Sequence, residues 1–314
     1  MLGAILGLFS AAGFGANAVI TRRAMLRVSA NYIATLTVFT GPIFFFGVAA
    51  LTGEIWKLWH FPWQAHVFLA LSGIVHFAFG RSWGYRSLRL IGATRSVVVT
   101  SLNPIVTVLL AMSILGEAVS VTMLIGIILT LLGPIVLLKE KVSIEDQHSK
   151  VGERGKEKVG ERGKELDRRT LYKGIFYGVG AALFWGSSAI LIKLGLENGG
   201  TPVAGTFIAY LSASLVIAPS SFLNREYREE ILRRDKESIK DVLYSGLTSN
   251  MAQLMRYIAL GLGSAIVVSL TLRTVALWSL LFSFLFMRQH ESFSRWVLLG
   301  NALLVVGTIL VVFS

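Results

Sequence analysis

The chain has 314 residues, of which 54% are hydrophobic and 15% charged, with a mean hydropathy of +0.66 and a net charge of +12. Soluble domains of this size are much less apolar, so a soluble enzyme is excluded. A nucleic-acid-binding module is excluded too, because no basic stripe with interleaved aromatics lies outside the apolar runs. Cysteine is absent, which removes disulfides, thiol catalysis and thiolate metal sites.

A bilayer core about 30 Å thick is spanned by ~20 apolar helical residues. Ten segments of that kind are read along the chain, near 2–21, 31–52, 66–88, 92–115, 119–138, 171–194, 203–223, 241–261, 263–287 and 293–313. The first has no basic leader and no small-residue cleavage site, so it is expected to be a retained span. Helices are expected throughout, since a spanning segment must satisfy its own backbone and none of the runs alternates as barrel strands do. The expected fold is an all-α integral membrane protein.

Between segments five and six lies a charged stretch in which the octapeptide KVGERGKE occurs at 150–157 and again at 158–165. Its mixed charge, glycine and lack of aromatics cannot bury enough surface to fold, so residues 139–170 are read as a flexible tether. A second polar patch, 224–241, carries Tyr227, Ile231, Leu232 and Ile239 roughly at helical spacing and is read as a short interfacial helix.

The halves on either side of the tether resemble each other. GFGANAVITRR (13–23) parallels FWGSSAILIKL (184–194), YRSL (85–88) parallels YIAL (257–260), and Glu117, Ser120, Gly126 and Gly133 match Glu291, Ser294, Gly300 and Gly307. Five spans per half make the second half enter from the opposite side, which is an inverted repeat of the kind secondary transporters use. Of the 30 Lys and Arg, all but Lys57, Arg81, Lys193, Arg256 and Arg273 fall on one side if the amino terminus is outside. The positive-inside rule therefore predicts a cytoplasmic-membrane protein with both termini outside. The aromatic stretch WKLWHFPW (56–63) would then sit in the outer interface.

With these elements placed, residues 84–133 resemble the EamA repeat of the drug/metabolite transporter superfamily. The elements are Tyr85 and Leu88, Gly92–Ala93, Asn103–Pro104, Gly116–Glu117, Gly126 and Gly133, with counterparts around 256–268 and 290–307. The resemblance implies ten transmembrane helices in a five-plus-five inverted repeat. Its units are residues 1–138, the 139–170 tether and 171–314, around a central cavity with alternating access. Two departures stand out. Trp278 falls near where a second Pro104 would be, and well-known ten-helix members are drawn with both termini inside, against the charge count.

All 18 acidic residues lie at span ends or in loops, which disfavours a proton-for-cation antiporter built on an embedded glutamate. Where that glutamate would sit, the first span has Asn17. The interior charges are basic. Arg273 lies well inside the ninth segment, Arg81 deep in the third beside the Gly73, Gly80 and Gly84 face, and Arg256 in the eighth near Asn250 and Gln253. Each costs at least about 2.5–3.5 kcal/mol to insert. They are the candidate solute-binding residues for an anion or zwitterion, because guanidinium matches carboxylate and phosphate bidentately. The alternative is that each is structural, bonding helix-end carbonyls, pairing with Glu117 or Glu291, or reaching lipid headgroups. Asn103, beside the helix-kinking Pro104, and the aromatics Trp185, Tyr210, Tyr257 and Trp278 are further candidate cavity residues. Glu117 and Glu291 are read as ordering their own turns ahead of Ser120 and Ser294, and His76 as packing or a weak proton relay.

The leading reading is a secondary transporter of a small organic metabolite, without cofactor or metal, with the bilayer and a solute as its partners and no nucleic acid. A coupling ion and a monomeric state are both compatible with it. A lipid-linked substrate flippase of the same fold and an integral-membrane enzyme are the alternatives, the last with no paired carboxylates or activated nucleophile behind it.

Overall fold

The computed structural model describes residues 1–24, 28, 30–133, 135–136, 168–223, 236–286 and 295–314. The duplicated tether, most of the 224–241 patch and the Glu291–Ser294 turn lie outside them. Helix occupies each of the ten apolar segments: α1 (Leu2–Ala24), α2 (Ala30–Leu51), α3 (Trp63–Gly73), α4 (Arg81–Thr100), α5 (Asn103–Ile114), α6 (Val121–Gly133), α7 (Arg168–Glu197), α8 (Pro202–Leu223), α9 (Lys236–Leu262), α10 (Ala265–Thr271), α11 (Val275–Phe286) and α12 (Arg295–Val312). The surface is inverted relative to a soluble protein. Phe9, Ile43, Leu109, Phe176 and Leu215 are exposed, while Ser188, Asn250, Gln253 and Arg256 are buried.

Among the described residues five helical stretches are long and apolar enough to cross a membrane: Leu2–Thr21, Trp63–Ile91, Arg168–Glu197, Pro202–Pro219 and Ala265–Leu285. Thr35–Leu51 with Glu54–His60 would make a sixth if the 95° bend between them were ignored. That bend instead lays the short 3-10 helix Glu54–His60 across the end of the bundle, with Trp56 and Trp59 exposed as amphipathic interfacial rings. Helix α9 does not reach that hydropathy because its buried face carries Ser245, Ser249, Asn250, Gln253 and Arg256.

Segments three and four are expected to part at a loop near Gly92. Helical backbone runs instead from α3 through a π-helical stretch, Ile74–Gly80, to the end of α4. The chain still reverses there, as its contacts along α7 show. Leu69 meets Gly195, Ser87 meets Gly178 and Ile91 meets Gly174 on the way out; Val99 meets Gly178 and Asn103 meets Gly186 on the way back. The π stretch also re-aims the glycine face. Gly73 abuts Ala209 of α8, whereas Gly80 and Gly84 abut Trp185 of α7.

The helices pack in pairs that exchange the two halves. Helix α1 runs against α9, through Gly13 on Ala252 and the Ser10 hydroxyl donating to the Ala252 carbonyl at 2.7 Å. In the same way α7 runs against α3 and α4. Gly15 of α1 sits on Trp278 of α11, and its sequence counterpart Gly186 of α7 sits on Asn103 and Val106 of α5. Helix α2 pairs with α8, where Ser214 Oγ donates to the Val38 carbonyl at 3.2 Å. Helix α6 pairs with α12, where the glycines of the repeat meet crosswise: Gly126, matched to Gly300, faces Gly307, and Gly133, matched to Gly307, faces Gly300. Without side chains at these points the backbones approach closely, which in lipid replaces the missing hydrophobic drive.

Turns at one end of the bundle are fixed by left-handed glycines, Gly53, Gly116 and Gly199, at φ of 72°, 66° and 95°. Beside two of them a carboxylate from the first half starts a helix of the second. Glu117 accepts from Ser264 Oγ at 2.6 Å and from the Ala265 and Ile266 amides at 2.6 and 3.0 Å. Glu54 accepts from the Ala204 amide at 3.1 Å and from Thr201 Oγ1. Glu117 therefore orders another helix start, not its own turn. Ser120 alone caps α6, accepting from the Met123 amide at 3.0 Å. The reason is electrostatic: orphan amides at a helix start attract a carboxylate.

The close glycine contact gives a direct test. A Cβ at Gly126 would lie 2.7 Å from the Gly307 carbonyl, whereas one at Gly47 meets nothing within 4 Å. Gly126→Val is expected to lower stability in detergent by about 1–3 kcal/mol, and Gly47→Val to leave it close to the parent; thermal unfolding of the purified protein reads both.

Candidate functional site

The polar side chains converge where α7, α9 and the π-helical stretch meet. At the centre is His76. Its Nδ1 lies 2.9 Å from Ser188 Oγ and 3.4 Å from a terminal nitrogen of Arg256, and its Nε2 lies 3.5 Å from the Gln253 amide nitrogen. Its backbone carbonyl accepts from Trp185 Nε1 at 3.2 Å. Arg256 is only 7% exposed and donates to Ser188 Oγ at 3.2 Å. One turn before His76, Ser72 Oγ lies 3.1 Å from the Tyr257 hydroxyl.

Arg81 approaches the same centre from its own helix. It stacks 5.3 Å over the Phe77 ring, donates to Thr37 Oγ1 at 3.4 Å, and its charge acts on His76 and Tyr210. Tyr210 is buried against Phe45 and Phe77 and bonded to Ser249.

Arg273 lies in the 3-10 turn Leu272–Thr274 that interrupts the ninth segment. It donates to Asn103 Oδ1 at 2.6 Å, and its charge interacts with that of Arg256. Asn103 in turn donates to the Thr100 carbonyl at 3.1 Å, at the break where Pro104 opens α5. Two departures from regular α-helix, one in each half, thus carry His76 and Arg273.

Among the described residues neither Arg256 nor Arg273 has a carboxylate partner. Glu117, one sequence-level option for pairing them, is committed to the start of α10. Among the buried polar atoms without a hydrogen-bond partner are Arg273 Nε and Gln253 Oε1 of these residues, with Asn250 Oδ1 on α9 and Trp278 Nε1 on α11. Buried polar atoms are rarely left so, and a group of donors and acceptors of this kind is what a polar solute would complete.

Of the residues singled out in the sequence, Arg256, Gln253 and Trp185 come together around His76, and Arg273 joins Asn103. Asn17 does not join them. Its Oδ1 accepts from Ser245 Oγ at 2.8 Å and from Thr21 and Thr248 at 3.3 Å, tying α1 to α9. Trp278 covers Gly15 and stacks on Phe282. The sequence reading missed the centrality of His76 and the part played by Ser188. A histidine inside an apolar span was itself the signal; it was weighed as packing or a weak proton relay, and no group of three or more metal-ligating side chains occurs among the described residues.

A profile of the EamA-like transporter family matches residues 1–139 and 172–313. The chain belongs to the EamA-like transporter family. It is thus a multi-pass membrane protein of a family that transports small molecules. No curated protein sequence matches it. A crystal structure described only as that of a protein superposes with a TM-score of 0.71 at 16% identity, covering 99% of this chain and 96% of the other; at that identity the likeness is one of fold.

The Arg273–Asn103 contact can be tested alone. Asn103→Leu leaves that guanidinium without its acceptor and is expected to cost about 1.5–3 kcal/mol, whereas Asn103→Asp supplies a charged acceptor and should hold the melting temperature near the parent value. An unchanged melting temperature in Asn103→Leu would show that the contact does not hold Arg273.

Proposed function

We propose that this EamA-like protein is a secondary transporter of a small anionic or zwitterionic metabolite, working by alternating access without a cofactor. The observation that carries the reading is the pair Arg256, buried, and Arg273, half-buried with its Nε enclosed: they act on each other and have no carboxylate among the described residues. Charge at that depth is expensive unless compensated, and a solute carboxylate compensates it with hydrogen bonds that guanidinium makes well. Asn250, Gln253 and Trp278 would complete the shell around the rest of the solute, and Arg81 would add positive potential.

The architecture proposed is ten spans in a five-plus-five inverted repeat, residues 1–138 and 171–314 joined by the 139–170 tether. The exchanged helix pairs support it, since α1 stands to α9 and α11 as α7 stands to the α3–α4 run and α5. Such a repeat allows the halves to rock about a central site. Both termini are placed outside the cytoplasmic membrane, on the strength of the lysines and arginines gathered on the other side.

Counterflow in proteoliposomes tests the function. Exchange of carboxylated solutes is expected, with Arg256→Ala and Arg273→Ala each weakening apparent affinity roughly tenfold or more, the cost of a lost charged hydrogen bond. Exchange of organic cations in preference to carboxylates would overturn the reading, as would Arg273→Ala at parental affinity. For topology, a single cysteine engineered within 150–165 of this cysteine-free chain should react with impermeant reagents only from the cytoplasmic side.

A further inference from the structure

Resting on the anion-transport reading, we infer that His76 binds the coupling proton, so that one proton and one anion occupy the site together and are carried in the same direction. The hydrogen-bond network around the ring carries this. Ser188 Oγ donates to the Trp185 carbonyl at 2.8 Å, so its oxygen is left to accept from His76 Nδ1 at 2.9 Å. On the other side, His76 Nε2 faces the Gln253 amide, whose nitrogen is 3.5 Å away and whose oxygen is buried without a partner. Rotating that amide by half a turn exchanges its nitrogen for its oxygen. Oε1 then accepts from Nε2–H, and the unpartnered atom is satisfied. The site thus offers an acceptor for each ring N–H, which a doubly protonated imidazole requires and a neutral one does not.

Loss of water around the enclosed ring opposes the second proton first, and charge adds to it. Arg256 from α9 lies 3.4 Å from Nδ1 and Arg81 acts from the ring's own helix. The other titratable groups nearby, Tyr210 on α8 and Tyr257 on α9, supply no negative charge at neutral pH, and no carboxylate among the described residues acts on the ring. A solute carboxylate between Arg256 and Arg273 cancels the repulsion. Anion binding then favours proton binding, and by linkage the proton favours the anion to the same extent. The proton enters from water on one side onto Nε2 and returns to water on the other, with the anion, so the step balances. The π-helical stretch that carries His76 sits between Gly73 and Gly80, which abut different helices, a placement that lets the ring change sides as the halves move.

The test uses the full chain in proteoliposomes, with gluconate and glutamate as membrane-impermeant monoanions. With the outside one pH unit more acidic, one proton per anion supports about a tenfold inward accumulation, and pyranine inside should report acidification on solute addition. His76→Gln should bring the final ratio to one. The ratio, not the rate, is decisive, because a transporter that is merely slowed still reaches the parental ratio. A second readout needs no variant: in 15N-histidine spectra of the purified parent near neutral pH, glutamate or gluconate should convert one ring from neutral to doubly protonated. Counterflow of the probes with a final ratio of one in the parent, a tenfold ratio retained by His76→Gln, or histidine spectra unmoved by either solute would each overturn the inference while leaving anion transport standing. No counterflow of either probe would overturn both.

Discussion

A guanidinium inside a membrane-embedded bundle must be compensated or it will not stay there. Two features of this chain follow from that constraint. Because Arg256 is buried, Arg273 is half-buried with its Nε enclosed, and the described carboxylates sit at bundle ends, compensation falls to neutral dipoles, Ser188 and Asn103. Neutral dipoles compensate a full charge incompletely, and the site keeps a net attraction for an anion. The acidic residues that could have neutralised it are spent elsewhere. Glu117 and Glu54 start helices, and Glu197 pairs with Lys193 at 3.6 Å.

Backbone packing makes that interior possible. Glycines at Gly13, Gly15, Gly126, Gly133, Gly186 and Gly307 bring helices of opposite halves into contact without side-chain bulk. Interfaces held by small residues and a few hydroxyl-to-carbonyl bonds, such as Ser10 to Ala252 and Thr107 to Gly186 at 3.0 Å, are specific yet contain little that must be torn apart when helices slide. Departures from regular helix are concentrated where the charges are, at Ile74–Gly80 and Leu272–Thr274. Such irregular backbone is tolerated at membrane depth where it is enclosed by protein.

Much of this was legible in the sequence. Apolar length gave the helices, and the matched glycines announced the repeat. Sequence alone did not say that Gly126 and Gly307 face each other, because similarity between halves does not specify which partners meet. It also misread Gly73, Gly80 and Gly84 as one face. Spacing arithmetic assumes 3.6 residues per turn, and the π-helical stretch between the first two breaks it. Arg273 and Arg256 stood out as unpaired charges in oil. His76 did not, since its meaning depends on Ser188, Gln253 and Arg256, which lie 112, 177 and 180 residues away. Asn17 looked like a site residue for the same reason that it is a good clamp: it is polar, embedded and able to accept several bonds at once.

The most direct measurement is a structure of the purified protein with 4-bromobenzoate, whose unreactive aryl bromine locates the carboxylate by its anomalous signal. The bromine should lie in the interior, with the carboxylate within hydrogen-bond reach of both Arg256 and Arg273. A protein that binds 4-bromobenzoate at its surface and is empty between those two arginines would contradict a solute site built on them.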